Sequence, residues 1–594
     1  MNPNGPKIRL TLFFCLTLTT SLLAQTIYVD TDANGLADGS SWQNAFNHLQ
    51  DALKAASNDD QIFIARGTYT PDRNKDNPEG TKDPEAMFVL KTGVIIKGGF
   101  AGFSETNPDE RDIVLYETIL SGDLNANDEP NFVNYDENTY HIINASGTRS
   151  TAILDGVTIT AANANGSMNS DGGGIINYNG SPTLLNCNFT KNRALWYGGA
   201  MYNDMFSEPT IINCTFTNNK AQYGGAVESR RYSDAIFINC RFVANTAEHG
   251  GGIANAAANA TVINCLFYAN NATRRGGAIH DRFDCETLLS NCIIWNNNAV
   301  DGQQINLRFD CEMYIDHCDL QGGPSQIYLE ESTVDLGPGN IDADPCFVLP
   351  GFRDLNGLWT DGDYCLLPDS PCIDTGDNTI IPEDEYDLDE DSDKAELIPI
   401  DLAGNPRLND GDNDGNSVVD IGPLEFFWPP LQVDMKLTPQ SLNPTSQGNW
   451  VKAHFVMPPT TTYDQIDINT PLYVTPLDIE STYMNVFLNA DGLVTIEAGF
   501  DRNSFANALA PFTSPEYSYD IKGMLISGQP FYGTTSFRIT SNVFNHLAVL
   551  TSWWLNTDCT EPHFCGGFDF NRDGIVNFID LTLLNGHCTE FINK

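Results

Sequence analysis

The residues best spaced for chemistry lie near the end of the chain, in Asp569-Phe-Asn571-Arg-Asp573-Gly574-Ile575-Val-Asn577-Phe-Ile-Asp580. Side-chain oxygens fall at loop positions 1, 3, 5, 9 and 12, and glycine at position 6 permits a sharp turn. The carbonyl of Ile575 would complete an all-oxygen shell, the donor set of a hard cation such as calcium. A second acidic run, Asp410-Gly-Asp412-Asn-Asp414-Gly415, has the first half of such a loop and then Asp420 in place of a ligand at position 12. It reads either as a looser calcium loop or as a solvated acidic turn. Asp30-Thr-Asp32-Ala-Asn34-Gly35 is weaker, because Asp30 ends a strand pattern.

A third constellation comes from aligning Gly-Gly pairs along the chain. It stacks Glu228, His280 and Asn306, and beside them Arg230, Arg282 and Arg308. The string Arg-Phe-Asp-Cys-Glu occurs at 282–286 and again at 308–312, which sets Asp284 over Asp310 and Cys285 over Cys311. The plain reading is a duplicated unit whose Arg and Asp columns neutralise one another, clipped by a Cys285–Cys311 disulfide. The sharper reading is a groove for a glycan. Glycosidases need two carboxylates across the scissile bond, and proton abstraction needs a positioned base. No convergent set of that kind is visible, so no residue is assigned a catalytic role. His249, Asp316 and His317 stand alone and read as structural.

The elements that must position these residues are repeats. Asn186-Cys187-Asn188-Phe189 recurs at 213–216 and 239–242, with close variants at 264–267 and 291–294, and Cys318 continues the series. The cysteine steps are 27, 26, 25, 27 and 26 residues, and Asn192, Asn219, Asn245, Asn270 and Asn297 each follow their cysteine by five. Each repeat holds short alternating apolar runs broken by Gly and Asn, which tolerate tight bends. One such unit cannot bury its apolar face alone, so neighbours must stack. The expectation is an all-β, right-handed parallel β-helix over residues 25–428, with inward Cys and Phe columns, a reduced thiol ladder from Cys187 to Cys318 and an Asn column bonding between coils. Phe46, Leu49, Leu53 and Ala56 follow helical spacing and predict a capping helix near 44–57.

Lys7 and Arg9 precede an apolar stretch over residues 10–23, the pattern of a signal peptide over 1–24. No later segment is long and apolar enough for a membrane span. With 31 basic against 78 acidic residues the net charge is −47, which excludes nucleic acid as a partner. The chain is expected to be secreted or held at the cell surface.

After Trp428-Pro429-Pro430 the texture changes to alternating segments such as Trp450-Val-Lys-Ala-His-Phe-Val456, which predict a small β-sandwich over 429–541. Residues 542–594 then form a short α-helical module around the calcium loop.

Two resemblances follow. Tyr28-Val-Asp-Thr-Asp32, Asp38-Gly-Ser-Ser-Trp42, the Asn-Cys-x-Phe coils, Ser370-Pro-Cys-Ile-Asp-Thr-Gly376, Asp401-Leu-Ala-Gly-Asn-Pro-Arg407 and Val419-Asp-Ile-Gly422 resemble exported pectin-lyase-like β-helix proteins of environmental bacteria. That group includes lyases, hydrolases and proteins without known activity, so it implies a fold and not a reaction. The tail resembles a dockerin, with Asp580 where an ordinary EF-hand has Glu and Leu547-Ala-Val-Leu550 echoing Leu581-Thr-Leu-Leu584. A dockerin implies a cohesin-like protein partner, but His546 stands where Asp580 does and the first calcium loop is lost. The expected function is a non-catalytic, glycan-binding or adhesive β-helix with a calcium-binding tail for assembly or attachment. The alternative is a polysaccharide lyase or glycoside hydrolase carrying a dockerin-like appendage.

Overall fold

A computed structural model describes residues 24–539, apart from 356, 413, 440, 443–447, 469, 476, 478, 510–515 and 527. The signal peptide and the calcium tail at Asp569, Asn571, Asp573, Ile575, Asn577 and Asp580 lie outside the described residues.

Three short strands per coil, each paired in parallel with the same strand of the next coil, build the first compact unit. They form a first sheet of eleven strands (Thr26–Val29 to Thr333–Leu336), a second of nine (Gly67–Tyr69 to Asp319–Leu320) and a third of nine (Phe88–Val89 to Ile327–Glu330). This is a parallel β-helix. The residue before each column cysteine turns the corner between the first two sheets: Asn186, Asn213, Asn239, Asn264 and Asn291 have φ between 50° and 54°, a conformation that asparagine adopts more readily than most side chains. The Gly-Gly pair enters the third sheet. Gly224 has φ of 61°, and a Cβ on Gly225 would lie 2.2 Å from the carbonyl oxygen of Gly251. Only a residue without a side chain lets the coils approach there.

The core repeats the same residue types in vertical columns. Cys187, Cys214, Cys240, Cys265, Cys292 and Cys318 are buried free thiols. Phe189, Phe216, Phe242 and Phe267 stack face to face at 4.7–4.8 Å. The Asn column is also buried, and every member is satisfied. Asn245 Nδ2 donates to the Phe216 carbonyl at 2.8 Å, and its backbone N–H donates to Asn270 Oδ1 at 3.0 Å. Cys285 and Cys311 are in-register neighbours and separate thiols here, the Sγ of each directed at the carbonyl oxygen three residues back (Arg282 and Arg308) at 3.2 and 3.1 Å. Alkylation of the denatured, unreduced protein reads both sets. The six column cysteines are expected to be fully alkylated, whereas a Cys285–Cys311 bridge would keep two residues protected until reduction.

A second polar column, not foreseen from sequence, runs inside the third sheet through Asn177, Asn203, Ser229, Asn255 and Asp281. Asp281 is fully buried and accepts from Asn255 Nδ2 and Thr287 Oγ1, both at 2.8 Å. Burial pushes its carboxyl up to about 6, against the bonds it accepts. A carboxyl raised in the folded state stabilises below its unfolded pKa and loses that contribution as pH rises through the folded value. A carboxyl moved from its ordinary value to about 6 forfeits about 3 kcal/mol between pH 4 and pH 7. Urea denaturation at the two pH values should therefore show Asp281→Asn gaining on the native protein by about that amount at the higher pH.

The capping helix spans Leu49–Ala55, with Leu49, Ala52 and Leu53 packed on the open end of the core. Residues 371–409 and 417–426 return as a strap along the corner between the first two sheets. Ile381, Ile398 and Val419 pack on Leu185, Ile212, Ile238 and Ile263. The outward corner asparagines tie it down: Asn239 Nδ2 donates to the Ile400 carbonyl, and Asn291 Nδ2 to the Asp377 carbonyl, both at 3.0 Å.

The second compact unit starts at Phe427 and also takes in Asp410–Asn416. The alternating segments do form strands, with Val451, Ala453 and Phe455 buried on one side of Trp450–Val456. The sandwich expectation is corrected. A single, mostly antiparallel sheet rolls into a barrel-like form, in which Leu431–Gln432 and Ser441–Leu442 pair in parallel with Pro530–Ile539. Glycine at 533 admits the approach of the opposite edge strand, since a Cβ there would lie 2.4 Å from Met435 Cβ.

Candidate functional site

The third sheet brings together part of the expected groove. Arg230, Ala256, Arg282 and Arg308 are in register, as are Glu228, Ala254, His280 and Asn306. Glu228 is fully buried, 2.7 Å from Arg282 Nη2 and 3.9 Å from Arg230 Nε. Arg230 lies over the Tyr197 ring and Arg282 over Tyr223, each 4.4 Å from the centroid. Tyr197, Tyr223, His249 and His280 continue as a column of rings, tilted between the two tyrosines and stacked from Tyr223 to His280. Burial lowers the pKa of both imidazoles, with the nearby arginines acting in the same direction; His249 is pushed down to about 4. These are neutral rings sealed from water, each only 2% exposed. The cluster pairs much of its own charge, although Glu228 Oε2, Arg230 Nε, Arg282 Nη1 and His249 Nδ1 are buried without a hydrogen-bond partner.

The expected neutralisation of Arg by Asp is corrected. Arg282 pairs with Glu228 and Arg308 with Glu330. Asp284 and Asp310 sit exposed on a turn at φ of 60° and 63°, beside the stacked rings of Phe283 and Phe309. Positive φ at both turn residues breaks strand alternation, so the two Asp leave the Arg face.

A different surface forms an open groove of about 660 Å³ on the outer side of the first sheet. One edge is an acidic row: Glu208, Asp234, Asn259, Glu286 and Glu312. Asn259 links its neighbours, its N–H donating to Asp234 Oδ1 at 2.9 Å and its Oδ1 accepting from the Glu286 N–H at 2.8 Å. Glu286 and Glu312 pair in register. The floor is the next outward row, Ile236, Thr261, Leu288 and Tyr314, ending at Asp335. Tyr314 and Ile236 are 39% and 38% exposed. One row further, Ile238 and Ile263 disappear under the strap. None of these carboxylates has an Arg, Lys or His ion partner among the described residues. The groove can therefore offer a line of hydrogen-bond acceptors alongside an apolar, partly aromatic floor. The signal was present in the repeated Arg-Phe-Asp-Cys-Glu string, whose final Glu lies in this row.

Asp410, Asp412 and Asp414 bond to their own turn. Asp410 accepts from the N–H of Asp414 at 3.0 Å and of Gly415 at 2.9 Å, and Asp412 also accepts from Asp414 N–H at 3.0 Å. Asp414 accepts from Asn416 N–H at 2.8 Å. These are the bonds of an acidic turn closed on its own backbone.

Residues 213–230 match the repeat of the Chlamydia polymorphic membrane protein. No curated protein matches the chain. Among solved structures, pectate lyase Pel9A is similar over 68% of this chain and 96% of its own, at 14% identity and a TM-score of 0.34. A rhamnogalacturonan lyase is similar over 57% and 96%, at 10% identity and a TM-score of 0.29. No helix among the described residues is long and apolar enough to cross a membrane.

Proposed function

We propose that this chain is an exported β-helix that binds a glycan along the first-sheet groove without transforming it, and that its tail loop binds calcium for assembly or attachment. The observation that carries the reading is the acidic row beside the apolar floor. Carboxylates accept hydrogen bonds from sugar hydroxyls, and charge-assisted bonds are the stronger kind. Ile236, Leu288 and Tyr314 supply a floor for the apolar face of a sugar ring. Groups repeated at each coil, about 4.8 Å apart, suit a linear polymer.

The same charge selects among polymers. Five carboxylates line the groove on a chain of net charge −47, so polyuronates are repelled and neutral glycans favoured. Glu286 and Glu312 stack on one side of the trough, not across a bond to be broken, which supports binding over hydrolysis. Calcium at Asp569, Asn571, Asp573, Ile575, Asn577 and Asp580, and a looser calcium turn at Asp410, Asp412 and Asp414, belong to the same proposal.

Affinity gel electrophoresis of the full chain, with chelator present, tests the glycan reading. Retardation by a neutral polysaccharide and none by polygalacturonate is expected. Retardation by polyuronates alone, or accumulation of cleaved product from any polymer, would overturn it.

A further inference from the structure

Three acidic residues converge in the loop that leaves the second sheet after Thr118–Ser121 and re-enters the third at Ile143–Asn144. Carboxylate oxygens of Asp123, Asp128 and Glu137 all lie within 4.8 Å of one another. A calcium ion with ligands at about 2.4 Å spans a sphere of that diameter. The closing bonds of the loop leave oxygens over. Asp123 accepts from the N–H groups of Asn125, Asn127 and Asp128. Asp128 Oδ1 and Glu137 Oε1 are buried and receive no hydrogen bond.

Asn138 provides an independent pointer. It is 1% exposed, and its Nδ2 donates to Asp128 Oδ2 at 2.8 Å and to the Ala161 carbonyl at 2.7 Å. Both neighbours are acceptors, so the amide orientation is fixed and Oδ1 cannot be exchanged with Nδ2. Oδ1 is likewise buried without a donor, and the size of an amide keeps it within about 5 Å of the Asp128 carboxylate. An orphaned buried acceptor costs about 1–3 kcal/mol, and Asp128, Glu137 and Asn138 each carry one. No Arg, Lys or His forms an ion pair with these carboxylates among the described residues; the nearby Lys82 ammonium donates to the Leu124 carbonyl. A cation held among the three carboxylates would give a partner to oxygens that now lack one.

We infer that Asp123, Asp128, Glu137 and the amide oxygen of Asn138 form a structural calcium site that clamps the loop 122–138 to the β-helix. The donors are all hard oxygens from an irregular loop, which suits calcium better than zinc or copper. The ion holds the loop through Tyr135, whose carbonyl accepts from Asn163 Nδ2 at 2.7 Å and whose hydroxyl donates to the Lys191 carbonyl at 3.3 Å. This site is independent of the glycan groove and of the tail.

Limited proteolysis of the full chain, with calcium chloride or with chelator, tests it on the native protein. Calcium should suppress cleavage within 122–138, and cleavage there unaffected by calcium would overturn the inference. Equilibrium dialysis with radioactive calcium should then show Asp128→Asn and Glu137→Gln each binding one equivalent fewer than the native chain. Equal stoichiometry in folded variants would likewise overturn it. Should either variant fail to fold, the native-chain proteolysis decides.

Discussion

Phe242→Ala is expected to destabilise the solenoid by about 3–5 kcal/mol, the range for truncating a fully buried phenylalanine. Phe242 is wholly buried, stacks on Phe216 at 4.8 Å and on Phe267 at 4.7 Å, and meets the edge of Phe237 at 5.4 Å. Truncation removes three ring contacts at once and leaves a void walled by neighbours that are themselves held in columns. Coils cannot shift to fill it, because the Asn column on one side and the Cys column on the other fix their vertical register. Phe242→Leu retains much of the volume and should lose less than half as much. Thermal or urea denaturation followed by circular dichroism measures both. A cost below about 1 kcal/mol for Phe242→Ala would mean that the column is not packed as described.

Arg407→Met is expected to free the strap while sparing the coils. Arg407 and Glu425 are both almost completely buried, with Arg407 Nη1 3.4 Å from Glu425 Oε1 and Nη2 donating to the Gly422 carbonyl at 2.7 Å. Asp420 and Asp401 share the surroundings, Asp420 accepting from the Phe426 N–H at 2.6 Å and Asp401 from the Glu425 N–H at 3.0 Å. Removing the guanidinium strands a buried carboxylate, a loss of about 3–5 kcal/mol. Burial already raises the Glu425 pKa against Arg407 and the Asp420 N–H, which lower it, so without Arg407 the carboxyl protonates more readily. The variant should therefore lose less at pH 5 than at pH 8. Adding Glu425→Leu should recover part of the loss, since the stranded charge is then gone. Hydrogen exchange should rise over 371–409 and 417–426 and stay low in the coils. Uniform exchange throughout would contradict a separately held strap.

The strap clasp also explains a motif that sequence reading could recognise but not interpret. Asp401, Arg407, Asp420 and Glu425 share no regular spacing and meet because the strap doubles back on itself. The solenoid itself was readable, because Cys, Phe, Asn and Gly-Gly recur at one period and each has a clear reason to sit above itself. The capping helix was placed correctly but too long. Phe46 bridges to Val29, and Asn47 Nδ2 donates to the carbonyls of Asp30 and Ala33, which draws both residues out of the helix. In the second unit, alternation identified strands, but period two cannot say which strands pair, so one rolled sheet was indistinguishable from two facing sheets.

The candidate site was harder for a related reason. The Arg-Phe-Asp-Cys-Glu duplication was evident, yet Phe283 and Asp284 both take positive φ and reset which way the following residues face. Aligning the coils by their Gly-Gly pairs set Asp284 over Asp310 as a column expected to neutralise the arginines, and overlooked Glu286 and Glu312. The loop 122–138 carried no signal at all, since Asp123, Asp128 and Glu137 match no ligand spacing and converge only through the fold.

The groove is the centre of the functional account, and a calorimetric titration tests it most directly. The full chain, Tyr314→Ala and Glu286→Gln/Glu312→Gln would each be titrated with the neutral oligosaccharide that corresponds to the retarding polymer. Loss of the aromatic floor or of two row carboxylates should each weaken binding about tenfold or more, equivalent to about 1.4 kcal/mol, with circular dichroism unchanged. Affinities equal to that of the native chain in both variants would contradict the account.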